Sequence, residues 1–241
     1  MPRFEWKDRD MACSLAFFPL IGVVIGALIC LVNIPQQMQT VPAAVRVMLT
    51  LLVPLAITGG FHLDGFMDTE DALRSWAGRE KRLEIMQDPH IGAFAVIGLL
   101  RCMLILACAV TYILLYEPFR PEIIVIFSFV FVTGRCLSAI TSLQFKKARA
   151  DGMLHAETSG TGKGVMLCLG VWLLLSVSLM LYLDAVCGAA VLAAFGLYTV
   201  YYRYAAYRSF GGVTGDTAGH FLVSAETVAA TVLAITLFLR K

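Results

Sequence analysis

Charge is what this sequence has least of. Aspartate, glutamate, lysine and arginine make up 15% of its 241 residues, against 59% apolar residues. Soluble domains carry about a quarter charged and about 45–50% apolar residues. A water-soluble fold with the present balance would lack the polar surface to cover its core. The charges nearly cancel, to +2 at neutral pH, with no concentrated basic face, which argues against a nucleic-acid partner. Also missing is any CxxC pair among the seven cysteines, most of which lie in apolar runs. Reduced thiols packed as small hydrophobes are expected rather than a disulfide framework or a zinc site. No internal repeat, linker or low-complexity tract interrupts the chain, so one domain over 1–241 is expected. No cleavable signal peptide is expected, because the first apolar run follows the charged stretch 3–10 and is as long as a full span.

What is present is long apolar runs. Crossing a bilayer takes about 20 predominantly apolar residues in a helix, and seven segments qualify: 15–33, 43–61, 93–116, 122–142, 165–183, 185–202 and 218–239. The fifth and sixth touch at Asp184, as a tight hairpin or one long irregular segment. The expected fold is all-α, a polytopic membrane bundle of about seven helices. Charge bias sets orientation. The segments 1–14, 62–92, 143–164 and 203–217 hold thirteen of the nineteen bases, whereas the opposite side holds Arg46, Arg120, Arg240 and Lys241. This predicts an N-terminus in the cytoplasm. The same four segments carry thirteen of the seventeen acids, seven of them in 62–92 alone.

That acid-rich segment runs Gly59-Gly60-Phe61-His62-Leu63-Asp64-Gly65-Phe66-Met67-Asp68-Thr69-Glu70-Asp71-Ala72. Asp64, Asp68 and Asp71 are spaced i, i+4, i+7 and fall within an arc of about 60° on a helix. Three like charges on one face repel unless a cation lies among them. A hard divalent ion such as Mg²⁺ takes oxygen ligands and keeps waters and substrate phosphates as the others. Glu70 lies off this face, where an ion pair with Arg74 is the simpler role, as is Lys81 with Glu84. Further on, Asp88 precedes Pro89; it either caps the next helix or folds back as a fourth ligand. Arg74, Arg79, Lys81 and Arg82, between the two motifs, offer partners for phosphate oxygens. His62 and His90 are either structural or serve as base or phosphate donor. Acids for a metal beside bases for phosphate make a phosphoryl-transfer composition.

A second cluster reads Gly211-Gly212-Val213-Thr214-Gly215-Asp216-Thr217. Its glycines would let backbone N–H groups approach an anion at a helix start. Alternatively Thr214 or Asp216 caps the last span. Tyr198, Tyr201, Tyr202, Tyr204 and Tyr207 just upstream read as an interfacial belt, or as a stacking surface for a planar substrate. Arg101, Arg135 and Glu226 fall inside spans, where they either pair or line a polar groove. The stretch 158–164 lacks the G-x-x-x-x-G-K-[ST] spacing of a phosphate loop and is expected to be a flexible connection.

The stretch 59–98, with its H-L-D-G-x-x-D-x-x-D-A and R-L-E-I-M-x-D-x-x-I-G patterns, resembles the cobalamin synthase family, the adenosylcobinamide-GDP ribazoletransferases. Phe17-Phe18-Pro19-Leu20-Ile21-Gly22 and Gly211-Gly212-Val213-Thr214-Gly215-Asp216 extend the likeness, which is thinnest over 145–164. The resemblance implies a Mg²⁺-dependent enzyme of the bacterial inner membrane. It would join a GDP-activated corrinoid to α-ribazole or its 5′-phosphate and release GMP. By matching position, Asp64, Asp68, Asp71 and Asp88 become the metal and catalytic acids, with Asp216 and Glu226 as lesser members. His62, Arg79, Lys81, Arg82, His90, Thr214 and Asp216 become candidate substrate contacts. The implied partners are corrinoid nucleotide, ribazole and the lipid bilayer, with a homo-oligomer left open. Two rivals were weighed on residues. A CDP-alcohol phosphotransferase needs A-R where Asp68-Thr69 stand, and its second G-x₃-D-x₃-D element is missing. A transporter tends to show paired repeats and broken helices at the midplane, and the repeats are lacking.

Overall fold

The computed structural model describes residues 8–149, 154, 158 and 163–240. The charges at 3–7, Lys241 and most of the 158–164 connection lie outside these residues. Ten helices form among the described residues, in order: α1 (Asp8–Asn33), α2 (Gln36–Gln39), α3 (Ala43–Thr58), α4 (Phe61–Arg74), α5 (Arg79–Ile85), α6 (Ala93–Leu114), α7 (Pro121–Gln144), α8 (Lys163–Leu183), α9 (Ala185–Phe210) and α10 (Gly215–Leu239). No strand forms among the described residues; one isolated bridge joins Lys147 to Val213. The chain is an integral membrane protein by its helices: six are long and apolar enough to cross a bilayer, and α3 with α4 makes a seventh, bent span if counted together.

The second expected span, 43–61, ends early. Gly59 (φ 60°) and Gly60 (φ 80°) both adopt the left-handed conformation, which costs other residues about 1–2 kcal/mol each. They turn α4 away from α3 by 93°. The sequence carries an acidic, amphipathic segment there because it need not face lipid. At Asp184 the ambiguous pair of spans resolves into two helices. Asp184 caps α9 by accepting from Val186 N and Cys187 N, and it binds Arg120 (3.0 Å) and Arg240 (2.7 Å).

The bundle is built around α7, whose sides pack on α1, α8 and α10. Ile126, Phe127, Val130 and Cys136 are buried there with Ile25, Phe221 and Leu233 of the neighbours. Gly22 lets α1 lie on the α7 backbone, since a Cβ would sit 2.5 Å from Phe131 O. At membrane depth Arg135 of α7 binds Glu226 of α10 at 2.8 Å, both buried. The two charges thus follow the paired alternative, because an unpaired ion in that setting costs several kcal/mol. Asp64, Asp216 and the 145–149 segment gather at one end of the bundle, and Asp184, Arg120 and Arg240 at the other.

No atom comes within 4 Å of a Cβ built on Gly59, so substitution there tests the backbone conformation alone. Gly59→Val is expected to cost about 1–2 kcal/mol in thermal unfolding in detergent, and Gly59→Asn clearly less, because asparagine tolerates this conformation. Equal losses would contradict the account of the bend.

Candidate active site

The polar end is organised by the crossing of α4 over the first turns of α10. Two glycines permit it. A Cβ on Gly65 would lie 2.8 Å from Asp216 Cα, and one on Gly219 would lie 3.1 Å from His62 O. This contact brings Asp64 and Asp68 of α4 into the electrostatic field of Asp216. Neither Asp64 nor Asp68 has an ion-pair or hydrogen-bond partner among the described residues. Burial, and then the charges of Asp64, Asp216 and Asp71, push Asp68 up to about 6. Carboxylates held together without a cation mark a place where a cation would be stabilised. Their hard oxygen donors fit Mg²⁺, which usually keeps several waters. Among the described residues no three His, Cys, Asp or Glu side chains are grouped so that they could hold a metal ion by themselves, so a cation here would take its further ligands from water and substrate phosphate.

The other two aspartates singled out by spacing stand differently. Asp71 shares the acidic face, yet both its oxygens are taken: they accept from Gly92 N (2.7 Å) and Ala95 N (2.8 Å). It therefore caps α6 from a neighbouring helix, where the helix dipole favours a negative charge. A Cβ on Gly92 would meet both oxygens at 2.5 Å. Asp88 does not cap α6, which opens at Ala93 behind Gly92. Exposed on the connection, it accepts from His90 N (3.0 Å) and contacts His90 Nδ1 (2.6 Å).

Glu70, ranked low by its position off the acidic face, is a buried hub. It binds Arg74 Nε (2.8 Å), as the i, i+4 spacing predicts, and also Arg101 Nη2 (3.1 Å) and His220 Nε2 (3.3 Å). His220 stacks on Phe66 with ring centroids 5.0 Å apart. Burial opposes ionisation of Glu70, but the His220 and Arg74 hydrogen bonds outweigh it and hold the carboxyl down at about 2. A Cβ on Gly98 would come 2.6 Å from Glu70 Oε2, so α6 also needs a glycine at this contact. No local signal connects residues 150 positions apart, which is why the His220 link is invisible in the sequence.

The bases separate in role. Lys81 pairs outward with Glu84 at 2.7 Å. Arg79 lies against Gly211, where a Cβ would meet Nη1 at 2.7 Å, and it donates to Tyr207 O. Arg82 keeps a buried Nε without a partner. Arg149, from the least family-like segment, donates to Leu83 O and attracts the Asp216 carboxylate. Its segment is stapled to the glycine turn by Ala148 N to Val213 O (2.9 Å) and Val213 N to Lys146 O (2.8 Å). The glycine cluster is thus a turn rather than an open anion cradle. The N–H groups of Gly211, Val213 and Thr214 are bonded within the protein, and Thr214 with Thr217 forms the capping box of α10. Among the tyrosines, Tyr202 is buried against Thr217 and Tyr207 accepts from Lys146 N, whereas Tyr201 and Tyr204 are exposed.

On the opposite side of the acids lies a cavity of about 500 Å³ between α1, α4, α7 and α10, with Asp64 and Asp216 in its wall. His62 faces it, 5.5 Å from the rings of both Phe18 and Phe61. Burial, then the nearby Arg135 charge, lowers His62 to about 4. It therefore meets any substrate as a neutral ring at neutral pH.

Glu70 gives a pH-dependent test. Its folded pKa lies below the ordinary 4.5, so its stabilisation is complete above that value and is lost as pH falls toward 2. Glu70→Gln is expected to cost about 1–3 kcal/mol near neutrality, discounted because Arg74 and Arg101 are partly in solvent. Its stability difference from wild type should shrink below about pH 4.5; a difference constant through the acid range would contradict the hub.

Comparison with known proteins identifies the family. The profile of the family described as cobalamin-5-phosphate synthase matches residues 1–234. A Lachnoclostridium phytofermentans protein named adenosylcobinamide-GDP ribazoletransferase is 35% identical over 241 residues, covering 98% of this chain and 88% of that protein. A Clostridium perfringens protein of the same name is 30% identical over 236 residues, covering 98% and 92%. One from Geotalea daltonii is 29% identical over 216 residues, covering 90% and 83%. No solved structure matches the chain. An all-helical membrane bundle carrying an acidic helix folded across its last span is how this sequence builds its site, and the chain belongs to the cobalamin-5-phosphate synthase family.

Proposed function

We propose that this protein transfers the adenosylcobinamide phosphate moiety from adenosylcobinamide-GDP to α-ribazole or α-ribazole 5′-phosphate, releasing GMP, with Mg²⁺ as its cofactor. The observation that carries the reading is the pair Asp64 and Asp68, without partners among the described residues, in the field of Asp216 at the α4–α10 crossing, in a chain whose relatives bear that activity in their names. The charge bias of the connecting segments supports a site on the cytoplasmic side of a bacterial inner membrane.

The four aspartates of the sequence motif take unequal parts. Asp64 and Asp68, with Asp216, hold the cation. When bound, Mg²⁺ supplies charge neutralisation on the pyrophosphate and on the attacking oxygen. Asp71 fixes the start of α6 against the acidic helix. Asp88 and His90, exposed together, meet the substrate from the connection ahead of α6. Arg149, Arg79 and Arg82 flank the acids and hold the guanosine phosphates, with Lys81 at the edge. A ribose hydroxyl of the acceptor forms the new bond to the corrinoid-proximal phosphorus. The bond from that phosphorus to the bridging oxygen breaks, and GMP leaves with its electron pair. The hydroxyl proton passes to a carboxylate of the cluster.

The test is GMP release by the purified protein in liposomes, given adenosylcobinamide-GDP, either acceptor form and Mg²⁺. Asp64→Asn and Asp68→Asn are each expected to lower kcat at least about 100-fold. Chelation should abolish turnover and added Mg²⁺ restore it. Folded protein that releases no GMP with either acceptor would overturn the reading, and full metal-dependent activity in Asp64→Asn would remove the metal assignment.

A further inference from the structure

The two flanks of the acidic cluster differ in chemistry, and the difference sorts the two substrates. Arg149 acts on one flank, where its charge attracts Asp216, and Arg79 lies against the glycine turn ahead of α10. The other flank opens into the 500 Å³ cavity, whose described lining contains no lysine or arginine. That wall is built from Phe17, Phe18, Ile21 and Phe61, the ring of His62, and Ser138 and Ser142. We propose that this cavity is the acceptor subsite: the flat aromatic base of the acceptor packs against the wall formed by Phe18, Phe61 and His62, and its ribose lies at Asp64 and Asp216. The inference rests on the transfer reaction proposed above and goes further by placing the acceptor within it.

Three observations carry it. The first is size. A volume of 500 Å³ falls in the range of about 300–1,000 Å³ typical of small-molecule sites. It suits a nucleoside, whereas a corrin macrocycle bearing a nucleotide would not enter. The second is chemistry. Aromatic rings pack in offset or edge-on contact with centroids 4.5–7 Å apart, and Phe18 and Phe61 each contact His62 at 5.5 Å, so the three side chains form one aromatic wall against which a further ring can pack. A pyrophosphate would find no cation in this wall, so the donor's charged part is directed to the basic flank. The third is placement. Asp64 and Asp216 belong to the cavity wall and to the acidic cluster at once, so a ribose attached to a base held here reaches the acids. The site is also incomplete without α1, which supplies Phe17, Phe18 and Ile21 and has no part in holding the acids.

The experiment is steady-state kinetics of the full chain in liposomes, with acceptor and donor varied separately. Ala139→Phe fills the cavity floor, Ser142→Phe narrows it from a second position, and Phe18→Leu keeps bulk while removing the ring. Each is expected to raise the acceptor KM between about 10- and 100-fold while the donor KM stays within about twofold. Equilibrium binding of the benzimidazole nucleoside to wild type, with no donor present, should weaken in parallel in every variant that elutes as a single folded species. An unchanged acceptor KM, or a donor KM that rises instead, overturns the subsite while GMP release by wild type leaves the transfer reading intact. No GMP release by wild type would overturn the transfer reading itself. Nucleoside binding to wild type that is insensitive to all three substitutions would place the base elsewhere.

Discussion

The approach of α4 to α10 through Gly65 and Gly219 is the contact on which the polar end depends. Side chains at either position would hold the helices apart, because the facing atoms are backbone and have nowhere to move. At this separation one helix delivers all the parts. Asp64 and Asp68 reach Asp216, Phe66 stacks on His220, and Glu70 joins Arg101 of α6 to His220 of α10. The turn at Gly59-Gly60 makes the crossing possible by swinging α4 out of the direction of α3.

The scarcity of charge then becomes an ordering rule. In a bilayer an ion without a partner is costly; at membrane depth Arg135 holds Glu226, and at the polar end Arg74 and Arg101 hold Glu70. At the far end Asp184 is satisfied by two arginines and two backbone N–H groups. Asp64, exposed, and Asp68, half-buried, stand outside that rule. Two carboxylates without partners among the described residues, close enough to Asp216 to feel its charge, mark where a cation would be stabilised. The bases on one flank and the aromatic cavity on the other extend the same separation of chemistry outward from that point.

Much of this was legible in the sequence, for reasons that differ by element. The long helices follow from run length and hydropathy, with errors at the ends: the 185–202 run continues to Phe210, and the 43–61 run stops at Thr58. The Gly59-Gly60 pair carried the signal for that stop, since adjacent glycines mark turns. The acidic face of α4 was legible because helical spacing is local, and Asp64, Asp68 and Asp71 do share it. What each carboxylate does there was not, because the partners of Asp71 lie 21 and 24 positions ahead and Asp216 comes from another helix. The pair of Glu70 with Arg74 was legible from its i, i+4 spacing and forms, while the links to Arg101 and His220 are tertiary and leave no local signal. Arg149 was missed because its segment reads as a plain connection, and only the bridge between Lys147 and Val213 brings it back to the acids.

The central claim is that Asp64, Asp68 and Asp216 form one divalent-cation site. Electron paramagnetic resonance titration of the purified protein with Mn²⁺ in place of Mg²⁺ tests it directly, without substrates. One saturable site is predicted for wild type and for Asp88→Asn, weakened at least about tenfold in Asp64→Asn, Asp68→Asn and Asp216→Asn. Unaltered Mn²⁺ binding in those three variants, with loss in Asp88→Asn alone, would contradict the account.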